Sequence, residues 1–215
     1  MNINKHLILL FSVLFFLFAV SVSSGCFRKN ESDVKSVVRN ELDQLKNLDS
    51  ETTQKYIPYT ELFPDATENT DLTDEINKTF SLFFRKFNYK ISDVIVGTAN
   101  HSATVSVKLT TIDSKVLARD FKAELLRTQI TESAQAQKGN IKDSSRSLEA
   151  HYLILNHLLN TNDYDTAETD CNIQLVNTGN DKKEKWKIQR TNSLEDDLVG
   201  GLIADLADPD ILSPE

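Results

Sequence analysis

Between Ala103 and Thr110 the chain alternates without a break: Ala103, Val105, Val107 and Leu109 are apolar, and Thr104, Ser106, Lys108 and Thr110 are polar. Successive side chains of a strand point to opposite faces, so this stretch buries one face and leaves the other to water. It therefore demands a sheet, with a neighbouring strand and an apolar layer to lie on. Residues 87–96 supply the neighbour. Tyr89 and Ile91 fall in one phase and Val94 and Val96 in the other, which predicts a bulge near Ser92 and Asp93. A polar turn over residues 97–101 joins the two strands as a hairpin.

The segments on either side have the helical period. Val34, Val37, Val38, Leu42 and Leu45 form one stripe, with Ser32 placed as N-cap, Asp33 in the first turn, and an end near Leu48. Residues 49–71 are mixed and polar. A second helix is expected over 73–87, where Ile76, Phe80, Phe83, Phe84 and Phe87 make an aromatic stripe. After Asp113 the period returns through Leu117, Phe121, Leu125 and Ile130 and fades in the polar segment 135–147. A further helix over 148–159 carries Tyr152, Leu155, Leu158 and Leu159. A loop over 160–170 then leads to two strands, the first with Cys171, Ile173 and Leu175 on one face, the second with Trp186 and Ile188 turned inward. The tail 194–206 suits a short amphipathic helix, but Gly200 and Gly201 stand in its middle, each costing about 1 kcal/mol there relative to alanine.

Two helices, a hairpin, a helical pair and a second hairpin predict an α+β fold: a curved antiparallel sheet of about four strands wrapped by helices. Strands do not alternate singly with helices, which disfavours the parallel α/β classes.

The amino terminus has the parts of an export signal: Lys5, an apolar run from Leu7 to Val22 interrupted by Ser12 and Ser21, then Ser23, Ser24, Gly25 and Cys26. The alternatives are a secreted protein and an uncleaved membrane helix. Such a helix needs about 17–25 apolar residues, for which this core is somewhat short, and the small residues before Cys26 have no obvious purpose in such an anchor. They resemble the bacterial lipobox, which runs Leu, small residue, Gly or Ala, Cys. Ser23 stands where the lipobox has Leu, with Val22 one place earlier. The resemblance implies that Cys26 becomes the lipidated amino terminus, anchored on the extracytoplasmic face of the bacterial cell membrane. The expected organisation is a lipoprotein signal peptide over 1–25, a tether over 26–32, one domain over 33–207 with a helical insertion around 114–159, and a tail over 208–215.

Removing Lys5 with the signal leaves 23 Lys and Arg against 32 Asp and Glu, a net charge of about −9. Nucleic-acid binding depends on a concentrated basic face, so this balance argues against it. It also argues against an electrostatic grip of the domain on anionic lipid, and membrane association is left to the amino terminus.

A wider resemblance rests on the lipobox, on the aromatic helix entering Phe87-Asn88-Tyr89-Lys90-Ile91, on Ala103-Thr104-Val105-Ser106-Val107 leading to Asp113, on Trp186-Lys187-Ile188, and on the glycine-containing tail. Over residues 33–205 the chain resembles a group of lipoproteins from low-GC Gram-positive bacteria with domains like nuclear transport factor two, also described as cystatin-like. The resemblance implies a cone-like sheet wrapped by helices and a function largely unassigned.

Candidate chemistry is sparse. His6 lies in the signal and His101 in a turn, while His151 and His157 are six apart and do not share a helical face. Asp113 is the best acid candidate, with helix N-cap as its competing role. Asp163, Asp165, Glu168 and Asp170 invite a calcium reading but lack the glycine and terminal glutamate of the helix-loop-helix calcium site. Cys171 fits a small buried hydrophobe. Phosphate-binding glycine loops, nucleophile elbows and His-Glu-x-x-His are absent from the sequence. No catalytic residue, metal or cofactor is expected. The leading expectation is a lipid-anchored, non-enzymatic binding domain with a protein or peptide partner, working through the mouth of the cone or the sheet face bearing Thr104, Ser106, Lys108 and Thr110. The alternative is a small-molecule or enzymatic pocket lined by Phe80, Phe84, Tyr89 and Trp186, with Asp113 as its acid. Such a pocket needs about 300 Å³ or more.

Overall fold

The computed structural model describes residues 30–57, 62–63, 66, 72–97, 101–136, 147–179 and 185–212. Among them four strands form one open antiparallel sheet in the order β1-β2-β3-β4: β1 Asn88–Val96, β2 Ser102–Ile112, β3 Thr166–Asn177 and β4 Trp186–Ile188. The helices are α1 over residues 30–46, α2 Ser50–Tyr56, α3 Thr73–Phe83, α4 Ser114–Ala136, α5 Leu148–Thr161, α6 Asn192–Leu198 and α7 Leu202–Ala207. The α+β class and the antiparallel sheet follow the order of periods along the chain.

The alternation in β2 sets the orientation of the sheet. Ala103, Val105, Val107 and Leu109 are buried, and Leu175, Ile173 and Cys171 of β3 pair opposite the first three. In β1 the register slips between Ile91 and Asp93, leaving Ser92 as the extra residue. That bulge returns Val94 and Val96 to the core side, opposite Val105 and Ala103, where Tyr89 and Ile91 already lie. The apparent change of phase in the sequence is therefore one continuous core-facing row, partly buried at Tyr89, Ile91 and Val94 and buried at Val96. Helices cover it: α6 packs on β2 and β3, and a 3-10 turn over Phe84–Lys86 packs on β2. The other face keeps Thr104, Ser106, Lys108 and Thr110 partly exposed.

The aromatic stripe of α3 is core. Phe84 meets Phe80, Phe83 and Phe87 at ring separations of 6.3, 5.5 and 5.3 Å, and Phe80 also reaches Tyr152 of α5. The helix expected over 73–87 tightens into the 3-10 turn after Phe83. Phe87 then turns to extended backbone, which delivers Asn88 to the sheet.

Three boundaries differ from expectation. Residues 30–32 are already helical, so Ser32 lies inside α1 and the tether expected over 26–32 cannot include them. The segment 49–71, read from the sequence only as mixed and polar, buries Tyr56, Ile57, Leu62 and Phe63 and contains α2. Asp49 caps it by accepting from Thr52 N at 2.8 Å, and the Thr53 hydroxyl donates to Asp49 O. The loop expected over 160–170 is shorter, because β2 continues to Ile112 and draws Thr166–Asp170 into β3 through pairs such as Ile112↔Thr166. Glu168 and Asp170 are strand residues. Of the apolar positions expected to share the α4 stripe, Ile130 is the one left exposed, at 62%.

Two turns use left-handed backbone. At the end of α1, Leu48 N donates to Leu45 O and Asp49 N to Gln44 O while Leu48 takes φ 62°, the helix-ending motif that glycine usually completes. Gly200 and Gly201, at φ 67° and 91°, separate α6 from α7. A Cβ on Gly200 would lie 2.2 Å from Thr111 Oγ1, so only glycine lets this turn close over the sheet. The Asp196 carboxylate then accepts from Ile203 N and Ala204 N at the start of α7. Ser114 Oγ shares its proton between Gly200 O and Asp205 Oδ2, at 2.5 and 2.7 Å.

Candidate functional site

Of the residues expected to line one pocket, Phe80 and Phe84 meet in the core, but Tyr89 and Trp186 stand far from each other. Tyr89 is on β1 and Trp186 on β4, the two edges of the sheet. Tyr89 pairs with Leu109, which pairs with Thr169, whereas Trp186 pairs with Asn177. At a strand rise of about 3.3 Å and a strand spacing of about 4.8 Å, the two lie roughly 27 Å apart along the strands and roughly 14 Å apart across them. Phe80 and Phe84 are buried against other rings rather than lining a void. The Tyr89 phenol donates to Asp43 Oδ1 of α1 at 2.6 Å, and partial burial together with that carboxylate pushes it up to about 12. Phe80 does border a small cleft, about 40 Å³, shared with Leu48, Thr53, Asn77 and Ser81. That is room for a few waters and far below a ligand site.

Asp113, the acid candidate, is the N-cap of α4. Its carboxylate accepts from Val116 N at 3.2 Å, its carbonyl from Leu117 N, and its own N–H donates to Asp165 O. A carboxylate held by backbone N–H groups at a helix start is an acceptor in a structural role.

His101 is exposed at the hairpin turn, where its carbonyl accepts from Asn177 N. His157 is exposed on α5. His151, by contrast, packs between Phe63 and Phe121 at ring distances of 4.8 and 5.7 Å, with Nδ1 2.8 Å from Ser147 O. The carbonyl makes Nδ1 the protonated nitrogen of the neutral ring. Burial pulls the His151 pKa below the ordinary histidine value, against the opposing pull of that carbonyl.

The acidic cluster is dispersed by the strand. Asp163 pairs with Lys86 Nζ at 2.6 Å, which holds the Asp163 carboxyl below the usual range. Asp165 contributes its backbone to Asp113, while Glu168 and Asp170 flank Lys108. Among the described residues, no three His, Cys, Asp or Glu side chains are grouped to hold a metal ion. Cys171 is buried on the core face of β3, and burial, reinforced by the Asp197 carboxylate, pushes its thiol well above the ordinary range. A thiol so protonated is a poor nucleophile.

What the strands do assemble is the outer sheet face. Lys108 Nζ lies 3.3 Å from both Glu168 and Asp170, and hydrogen bonding and charge from those carboxylates raise its pKa. One step along, Ser106 Oγ donates to Asn172 Oδ1 at 2.9 Å, and Ser92 Oγ of the bulge donates to Ser106 O at 3.0 Å. Ile95, opposite Thr104, is 61% exposed on this face. The β2 members were readable from alternation. Glu168, Asp170 and Asn172 were not recognised as members, although they alternate with Cys171 and Ile173, because the register that brings them beside Lys108 and Ser106 is a tertiary fact.

Cys26 lies outside the described residues. Among those described, no helix is long and apolar enough to cross a membrane. No protein-family model, curated protein or solved structure matches the chain.

Proposed function

We propose that the chain is an exported bacterial lipoprotein, acylated at Cys26, that presents a non-enzymatic binding module on the extracytoplasmic face of the cell membrane. The apolar run ending in Ser-Ser-Gly-Cys supports the anchor. Helices on one side of a four-stranded antiparallel sheet support the cone-like, cystatin-like reading and the kinship with domains like nuclear transport factor two.

The observation that carries the binding role is the one-sided sheet. Its outer face is a row of cross-strand polar pairs, Lys108 with Glu168 and Asp170 and Ser106 with Asn172, beside the exposed Ile95. These pairs place donors and acceptors side by side across β2 and β3, where a partner can exchange hydrogen bonds with them. An open sheet face of this kind suits a peptide or protein rather than a small molecule, which needs a concave site. The test is site-specific photo-crosslinking in intact cells, with the crosslinker at Thr104 on the outer face or at Glu149 on the exposed side of α5. The proposal expects a discrete adduct from Thr104 and none from Glu149. Adducts from Glu149 alone, or equally from both, would contradict it.

A further inference from the structure

We infer that the domain sits on the bilayer itself, with the first two turns of α1 apposed to the lipid headgroups; this rests on the acylation of Cys26 proposed above. The helix is already formed at residue 30, where Asn30 is only 8% exposed, and Val34 is fully buried one turn later. The domain body therefore begins four residues after the anchoring cysteine. Four residues span at most about 14 Å even when fully extended. Acyl chains leaving Cys26 hold its backbone in the headgroup layer, which is roughly 5–8 Å thick in each leaflet. A helix end tied this closely has no stalk with which to clear the surface.

Charge selects the same end. The basic residues next to the anchor are Arg28 and Lys29, whereas residues 30–36 carry Glu31 and Asp33 against Lys35 and the mature chain as a whole carries about −9. An anionic leaflet attracts basic residues placed next to an anchor and repels the acidic body, so the body is turned outward with the start of α1 beneath it. The exposed side chains there, Ser32, Asp33 and Ser36, are small and polar. They suit contact with hydrated headgroups, not insertion among acyl chains. A domain of this length is on the order of 40 Å across. Adding the tether, the domain reaches no farther than roughly 55 Å from the bilayer, so a partner must come within that distance of the membrane to be bound.

The experiment uses the mature chain, residues 26–215, coupled through Cys26 to a maleimide lipid; burial protects Cys171 from the reagent. The protein is loaded on nanodiscs containing a gadolinium-chelate headgroup lipid, and amide broadening is read by NMR. Residues 31–36 are expected to be among the most broadened. A 20-residue Gly/Ser insertion between Lys29 and Asn30, which adds about 25 Å of mean reach, is expected to reduce that broadening at least fivefold, with the dispersed spectrum reporting that the domain remains folded. Broadening over 31–36 that the insertion leaves unchanged, or that is weaker than the domain average, overturns the inference. The chemical anchor makes this result independent of acylation in the cell, which the mass of the native mature terminus reports separately.

Discussion

Leu48 and Gly200 show opposite solutions to one backbone problem. Both take left-handed φ, but Leu48 carries a side chain there, at a cost of roughly 1–2 kcal/mol for an L-residue. Glycine removes that cost and loses some entropy, so Leu48→Gly is expected to raise the urea unfolding free energy by about 0.5–1 kcal/mol. Gly200→Ala is expected to lower it by more than about 2 kcal/mol, since the new Cβ meets Thr111 Oγ1 at 2.2 Å in a strained backbone. Adding Thr111→Ala should recover part of that loss, a coupling that independent sites would not show. At Asp113 the expected loss is about 1 kcal/mol for Asp113→Ala, as for other N-caps, measured by the same titration. These residue roles were partly legible. The glycine break and the Asp113 cap could be read because glycine and aspartate have specific backbone uses, whereas nothing about a leucine announces a left-handed turn.

Elements whose packing repeats along the chain could be read from the sequence, and those stabilised by single tertiary contacts could not. The stripes of α3 and α5 and the alternation of β2 and β3 each bury one continuous face, and the hydrophobic period records that directly. The seven residues of α2 bury Thr52 and Thr53, whose hydroxyls bond Gln44 Oε1 and Asp49 O. An element that buries polar side chains shows no apolar period. Tyr89 and Trp186, expected to share a pocket, stand apart for a related reason: aromatic residues at helical or strand spacing announce burial, but their mutual distances depend on strand order. His151 gives the element-scale prediction, because it joins Phe63 to α4 and α5. Its folded pKa lies below the unfolded value of about 6.5, so the unfolded chain takes up the proton first as pH falls. The stability it contributes is complete above that value and declines as pH drops through it toward the folded pKa. Chemical unfolding at pH 7.5, 6.5 and 5.5 should show this decline, and His151→Gln should flatten it. An identical slope in the variant would remove His151 from the account.

For the whole molecule, the separation of labour is between a hydrophobic amino terminus and an acidic domain with net charge of about −9 after cleavage. A net negative balance of this size disfavours an electrostatic hold on an anionic membrane or a nucleic acid, so under the proposed function location rests on the bond to lipid at Cys26. Cys26→Ala is accordingly expected to move the protein out of the membrane fraction or leave it as an uncleaved precursor, with the domain's thermal unfolding unchanged. The proposed orientation on the bilayer and the short reach both depend on that bond being made, whereas the sheet face does not. The most direct measurement is intact and peptide mass spectrometry of the mature amino terminus isolated from cells. The account predicts a chain beginning at Cys26 and carrying the mass of attached acyl groups; a free Cys26, a terminus elsewhere or an uncleaved signal would contradict it.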